Sequence, residues 1–296
     1  EDSIASQDMT VEFSRINLKE FRRILPYMPD MEGWIGAEAH YIESGPYMMV
    51  SSDLKVDEFK YEGSALGNWE LGGVYLPGEA KDHHLDAYIR HDGEEIAHLG
   101  GIYLPAEEGT GSLSADIAFE HFPLNVANPF VPDRMVELDG DIDGTLSMKG
   151  DPAKPLLNGE LALDSVTFFM PEMSAMFRFD NEPVQVVNSK MMFKEFDIFT
   201  KGKTPFTING EVDFSDLERT AVNLKMHAEN YELLNAPRTK RAMVYGKMYV
   251  DFNATLRGPV EELVMRGNMN ILGKTNVTYV LKDSPLTVND RLGDMV

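Results

Sequence analysis

The side chains best suited to chemistry fall in a few short stretches. Asp139-Gly140-Asp141-Ile142-Asp143-Gly144 has the spacing that opens a calcium loop, in which alternate carboxylates and a turn glycine wrap a hard cation. The bidentate glutamate that closes such a loop belongs at its twelfth position, which here is Gly150. Ile142, Leu146 and Met148 alternate with these acids, so the stretch reads as one strand with a wet carboxylate face. Asp82-His83-His84, with Asp86 and His91, gathers metal-ligating residue types. On a strand His84 and Asp86 share a face while His91 lies past a turn, so no metal site is expected there. Glu107-Glu108 and Glu261-Glu262 sit beside turn residues and read as solvated. Arg238-Thr239-Lys240-Arg241 reads as a solvated basic loop, with contact to lipid phosphates as its functional alternative. There is no Gly-x-Ser-x-Gly elbow, phosphate loop or dinucleotide fingerprint. The chain also has no cysteine, which removes thiolate chemistry and disulfides. The expectation is a protein that is not an enzyme and takes no cofactor.

Composition narrows the partners. The formal net charge is −22, which opposes nucleic acid binding, a task that needs a basic footprint. It also disfavours lying flat on an anionic membrane. Mean hydropathy is −0.27 with 43% hydrophobic residues, as in a folded chain with a sizeable apolar interior. No apolar run approaches the ~18 residues of a membrane span.

The elements that would position any site are strands. Leu113, Ala115, Ile117 and Phe119 alternate with Ser112, Ser114, Asp116 and Ala118. Phe206, Ile208, Gly210, Val212 and Phe214 alternate in the same way, and so do Val222, Leu224, Met226 and Ala228. Each such strand buries one face and wets the other. Asp-Gly, Asn-Gly, Gly-Pro and Pro-Gly turns join them, so neighbours should be antiparallel. Two hairpins follow one template, Gly140–Gly150 returning at Gly159, and Gly246–Gly258 returning at Gly267. In both, nine positions separate the last two glycines. A closer repeat is Leu71-Gly-Gly-Val74-Tyr75-Leu76-Pro77 against Leu99-Gly-Gly-Ile102-Tyr103-Leu104-Pro105. Gly33, Gly140 and Gly246 are almost evenly spaced, as in units that bury their apolar faces by stacking.

Two segments carry a helical period. Asn17 to Met28 places Leu18, Phe21, Leu25 and Met28 on one face and carries Lys19, Arg22 and Arg23. It is expected to pack on the sheet or plug a groove end; lying on a membrane surface is the alternative. Asn125 to Met135 is a proline-interrupted version. The divisions read from these patterns are 1–33, 34–122, 123–229 and 230–296, or one continuous domain.

About sixteen to eighteen strands of roughly 7–12 residues would span ~80 Å if laid flat. Open sheets of that size curl, split or close. A mostly β fold is therefore expected, a long curved antiparallel sheet forming a trough with a hydrophobic groove and one or two short helices. A two-sheet sandwich fits the same pattern. The expected groove lining is Ile142, Leu146, Met148, Leu161, Leu163, Val212, Phe214, Leu224, Met226, Met248, Val250, Phe252, Leu256, Met265, Met269 and Ile271. The chain has 18 methionines, and several fall on this face, where flexible thioethers suit an adaptable surface.

A resemblance adds to this reading. Tyr231-Glu-Leu-Leu-Asn235, Tyr245-Gly-Lys-Met-Tyr249, Thr255-Leu-Arg-Gly-Pro259, Gly267 to Gly273, Thr275-Asn-Val-Thr-Tyr279 and Ser284-Pro-Leu-Thr-Val288 occur in an order similar to the C-terminal domain of the TamB family. This is the family of translocation and assembly module subunits. Gly140 to Leu163 resembles an upstream repeat of the same family, and Leu18 to Gly33 is similar in style. The resemblance implies a β-taco of the AsmA-like, bridge-type lipid transfer class. It implies a Gram-negative periplasmic protein, held in the inner membrane by an anchor that this fragment lacks. It also implies an outer-membrane partner of the barrel-assembly family (TamA-like) and a part in phospholipid passage, outer-membrane biogenesis and protein secretion. Both ends of the chain read as cuts in a longer protein.

Three functions are expected in order. The first is a groove that carries or shields phospholipid acyl chains between the inner and outer membranes. The second is a chaperone that assembles outer-membrane β-barrel or autotransporter clients by β-augmentation. The third is a structural β-array with a dry core.

Overall fold

A computed structural model of the chain describes residues 7–45, 47–78, 82–106, 110–131, 136–152, 154–171, 174–216, 219–238 and 244–280. The strands are β1 Gln7–Asn17, β2 Met31–Ser44, β3 Tyr47–Tyr61, β4 Ser64–Pro77, β5 His83–His91, β6 Glu94–Leu104, β7 Ser112–Pro123, β8 Glu137–Gly150 and β9 Leu156–Met170. They continue as β10 Ala175–Phe179, β11 Val184–Val187, β12 Lys190–Phe199, β13 Phe206–Asp213, β14 Ala221–Ala236, β15 Val244–Pro259, β16 Val264–Ile271 and β17 Asn276–Tyr279.

All of them belong to one antiparallel sheet. From β1 to β9 each strand pairs with the next in sequence. β10 and β11 lie end to end, each pairing with β9 on one side and β12 on the other. The order resumes through β12, β13, β14 and β15. β16 and β17 then share the far side of β15, also end to end. Seventeen strands thus fill fifteen places in a meander. The two glycine-framed hairpins are β8–β9 and β15–β16. The Leu-Gly-Gly repeats occupy β4 and β6 and flank β5, with Leu71 opposite Ile89 and Leu99 opposite Ala87. The limits at 33, 122 and 229 fall inside β2, β7 and β14, and hydrogen bonding runs through all three.

Several strands are longer than the alternation alone implies, up to 16 residues in β14 and β15. Bulges make this possible. β1, β3, β7, β9, β12 and β14 each slip register near one non-glycine residue of positive φ: Arg15, Glu58, His121, Ser165, Glu195 and Asn230. Four of these residues donate their backbone N–H to an Asn or Asp side chain of the neighbouring strand. Glu58 donates to Asn68 at 2.9 Å, His121 to Asp143 at 2.8 Å, Glu195 to Asn209 at 2.9 Å and Asn230 to Asp251 at 2.8 Å. A bulge bends its strand and sharpens the local twist. A set of them on alternate strands therefore bends the sheet about its apolar face.

The bend is tightest in the second half. β10 contacts β14 although β12 and β13 lie between them in the sheet. Their side chains meet in a core of Phe177, Val184, Phe196, Ile198 and Leu234, with Phe168, Phe179 and Phe206 packed against it. Leu234 is 1% exposed. Among the described residues, the strands of β1–β8 pack substantially only on their sheet neighbours and on the two short helical segments, so the first half is a more open trough.

Both helical segments are shorter than the sequence implied. The first is α1, Leu18–Ile24, with the Asn17 side chain accepting from the Lys19 N–H as its N-cap. Pro26 disfavours helical backbone at Leu25 and ends it. Leu18 is buried and Phe21 half-buried, while Leu25 is exposed. Lys19 pairs with Glu32 at 2.7 Å, Arg22 with Asp30 at 3.2 Å and Arg23 with Glu20 at 2.6 Å. The basic cluster is thus matched by acids of the same protein, and the helix sits against β2. The second segment is a 3-10 turn, Leu124–Phe130, with Pro129 inside it. Residues 132–135 lie outside the described set.

Candidate functional site: the apolar face of the sheet

In an antiparallel ladder, directly opposed residues share a face. The register therefore shows which apolar side chains stand together. Met9 faces Tyr41, Tyr41 faces Val50, Val50 faces Tyr75 and Tyr75 faces Leu85. A parallel row joins Ala37, Leu54, Leu71, Ile89, Ala97 and Phe119. Another joins Leu99, Ile117 and Leu146. The face continues through Ile142 with Leu163, Gly144 with Leu161 and Met148 with Leu157. In the second half Val212 opposes Val222, Leu224 opposes Leu256, Met226 opposes Ala254 and Leu234 opposes Met248. The last rung pairs Val250 with Ile271, Phe252 with Met269 and Leu256 with Met265.

Fifteen of the sixteen lining residues named from sequence thus lie in strands on one continuous face. Phe214 follows the end of β13, where its N–H donates to the Ser189 carbonyl. Their exposure varies along the sheet. Leu146, Met226 and Val250 are buried against other side chains, Val250 to 1% exposure. Met265, Met269 and Ile271 lie on β16 and are exposed. The remaining strand residues are half-buried.

The sequence reading passed over two parts of this face. One is the inner row of β1 to β7, where Val11 is 67% and Leu71 is 49% exposed. The other is the aromatic core of β9 to β13, where the Phe168 and Phe177 rings stack at 4.5 Å and Phe179 lies 5.7 Å from Phe196. Both carry the same period-two signal as the segments chosen, in Leu54 and Val56 and in Phe177 and Phe179.

The opposite face is polar. Glu70 binds Lys55 at 3.5 Å and Arg90 at 3.2 Å. The Tyr88 hydroxyl donates to Asp53 at 2.7 Å and Glu70 at 2.9 Å, and Arg90 lies 4.2 Å from the Tyr88 ring centre. The Asp53 carboxylate, then burial, then Glu70 push the Tyr88 phenol well above its ordinary value. Lys190 pairs with Glu211 at 3.0 Å and Asp213 at 3.3 Å.

The stretches with metal-like composition are dispersed. Asp143 accepts the His121 N–H within a continuous strand, so the Asp139–Gly144 run is not a loop. His83 stands on the apolar face and bonds the Tyr75 hydroxyl. His84 bonds Asp82 at 2.9 Å, Asp86 bonds His98 at 3.1 Å and His91 bonds the Leu66 carbonyl at 2.9 Å. Among the described residues no three His, Asp or Glu side chains are placed to hold a metal ion. Arg238 lies 5.6 Å from the Tyr245 ring centre, while Lys240, Arg241, Glu107 and Glu108 fall outside the described residues.

One polar atom on the apolar side is conspicuous. Tyr231 is 2% exposed and opposes Val250, and among the described residues its hydroxyl has no hydrogen-bond partner. Burial drives its phenol upward, and the nearby Thr200 hydroxyl opposes that rise. The apolar face is thus partly exposed over β1–β8 and a filled core over β9–β15. No family model, curated protein or solved structure matches the chain.

Proposed function

We propose that the chain is a segment of a TamB-like envelope protein whose apolar groove carries or shields phospholipid acyl chains. The observation that supports this reading is the single in-register apolar face that runs from β1 to β16 and stays half-exposed over β1–β8. Half-exposed rows of Leu, Ile and Val on a sheet face are costly in water, and acyl chains would cover them at a gain of ~0.8 kcal/mol per CH₂. The mechanism is partition and sliding along the groove, without bond chemistry. In this proposal the segment works in the periplasm of a Gram-negative cell, between an inner-membrane anchor and a barrel-assembly-family partner in the outer membrane.

Native mass spectrometry of the detergent-free protein, followed by lipid extraction, tests the proposal. The expected result is bound phospholipid that is lost in Leu71→Glu while the circular dichroism spectrum stays unchanged. A lipid-free spectrum of the wild-type protein would refute it.

A second reading is favoured by one observation, the free edge of β1. Among the described residues this strand pairs with β2 alone, and residues 7 to 16 are all exposed. Such an edge can accept an extended client strand by backbone pairing. On that reading Val11→Pro abolishes crosslinking to an outer-membrane strand peptide, and Leu71→Glu leaves it intact.

A further inference from the structure

The apolar face of the first half ends differently at its two rims. At one rim both helical segments sit over the strand ends. There α1 packs against β2, and the 3-10 turn between β7 and β8 reaches back to the end of β3, where the Phe130 ring lies 4.6 Å from Tyr61. Beside that turn lies a hollow of about 400 Å³ lined by Leu66 and Gly67 of β4 and His91 of β5.

At the other rim the apolar face carries rings with polar tips. Tyr41 opposes Val50, Val50 opposes Tyr75, and His83 opposes Tyr103. β5 keeps an unbroken register with β4 from His91 to His83, so His83 shares the face of Leu85 and Ile89. Tyr103 shares that face with Leu99 through the unbroken register of β6 on β7. All four rings are half-buried. The His83 ring lies 5.5 Å from that of Tyr75 and 5.8 Å from that of Tyr103. The Tyr75 hydroxyl bonds His83 Nδ1, and donation by Tyr75 leaves the ring proton on Nε2. The Tyr41 hydroxyl is taken by Glu43, at 2.9 Å. Among the described residues, His83 Nε2 and the Tyr103 hydroxyl have no hydrogen-bond partner.

This belt has little charge to offer. Among the described residues at this end of β2–β7, the apolar face carries Glu43 and no lysine or arginine. A phosphate would meet a carboxylate and no cation there. Phenol and imidazole donors suit an uncharged acceptor instead, and their ring bodies sit well against hydrocarbon.

We infer that His83 and Tyr103 hold the ester carbonyls of a diacyl glycerolipid whose acyl chains lie in the groove, an inference that rests on the groove reading above. The chains run from this belt over Leu85, Ile89 and Leu71 toward the covered rim, and the headgroup stays in water beyond the belt. The same pairing of apolar body and wet tip places tyrosine at membrane interfaces.

The test offers the purified protein vesicles of equal parts diacyl phosphatidylcholine and its dialkyl ether analogue, which differ only in the carbonyls. Native mass spectrometry counts what is bound. Wild type is expected to hold the ester about tenfold over the ether. His83→Phe with Tyr103→Phe keeps both rings and removes both donors, so it should bind as much lipid in total without the preference. Tyr103→Phe alone should fall between the two. A control makes the same exchanges off the groove, at the fully exposed Tyr27 and at His98 on the polar face, as Tyr27→Phe with His98→Phe, and should keep the preference. The site is overturned by a wild type that takes the two lipids equally, by a belt variant that keeps the preference or binds neither lipid, or by a control that loses the preference. Equal uptake by wild type would leave the groove reading standing, whereas a wild type that binds neither lipid would remove it as well.

Discussion

Tyr231 shows how a single side chain can be out of balance with its surroundings. Its ring fills space beside Phe206, 6.0 Å away, while its hydroxyl is buried without a partner among the described residues. Leaving such a donor unpaired costs about 1–3 kcal/mol. Tyr231→Phe should therefore be neutral or stabilising in a urea titration, and a loss of stability would show that the hydroxyl is satisfied in solution. Asp213 is balanced differently. The Ser215 hydroxyl at 2.7 Å and its N–H at 3.0 Å hold the carboxyl below its ordinary value of 3.8, burial opposes them, and Lys190 adds to the lowering. A carboxyl depressed in the folded state contributes stability above its unfolded value and loses it as pH falls through the folded one. Ser215→Ala should therefore lower stability at neutral pH and move acid unfolding to higher pH, with the difference from wild type vanishing once the carboxyl is protonated in both states. The sequence reading placed Asp143 on a wet strand face, but its partner depends on the bulge at His121, which alternation does not reveal.

Strands and short turns were legible because period-two alternation and glycine-framed hairpins carry them, as in Gly246–Gly258 and Gly267–Ile271. Bulges were not. Each adds one residue, shifts the period by a single step and imitates a strand end, so β14 reads as separate shorter segments when it is one strand bent at Asn230. Glycine is the sequence trace of these bends. Gly140 has φ +97°, and a Cβ there would lie 2.7 Å from the Ser165 carbonyl oxygen and the Val166 Cα, both backbone atoms at the bulge of β9. Neither the conformation nor the neighbour can yield cheaply. Gly140→Ala is expected to cost about 2 kcal/mol or more. Gly93, in an open turn with nothing within 4 Å of the added atom, should cost less despite its φ of +93°. Equal losses at the two positions in chemical denaturation would show that close approach at the bulge adds nothing to the backbone cost.

At the scale of the whole molecule, one apolar face serves two purposes. Over β9–β15 it curls until Phe177 and Leu234 share a core, and there it holds the fold together. Over β1–β8 more of it stays exposed, as at Val11, Leu71 and Leu85, although Ala97, Ala115 and Leu146 are buried. Alternation could not separate the halves, because Leu71 and Phe177 present the same pattern. What differs is whether the sheet returns over itself, and that coincides with the split of one rung into β10 and β11, since bulges occur in both halves. The two halves should respond in opposite ways to truncation. Phe177→Ala removes a ring that is 7% exposed and stacked on Phe168, and should cost about 3–5 kcal/mol in urea unfolding. Leu71→Ala removes a half-exposed side chain and should cost under about 1 kcal/mol, yet lower the lipid carried by the folded protein. If Leu71→Ala were as destabilising as Phe177→Ala, the first half would be closed in solution. The trough would then be a dry-cored array, in which stability and ligand binding could not be separated along the sheet.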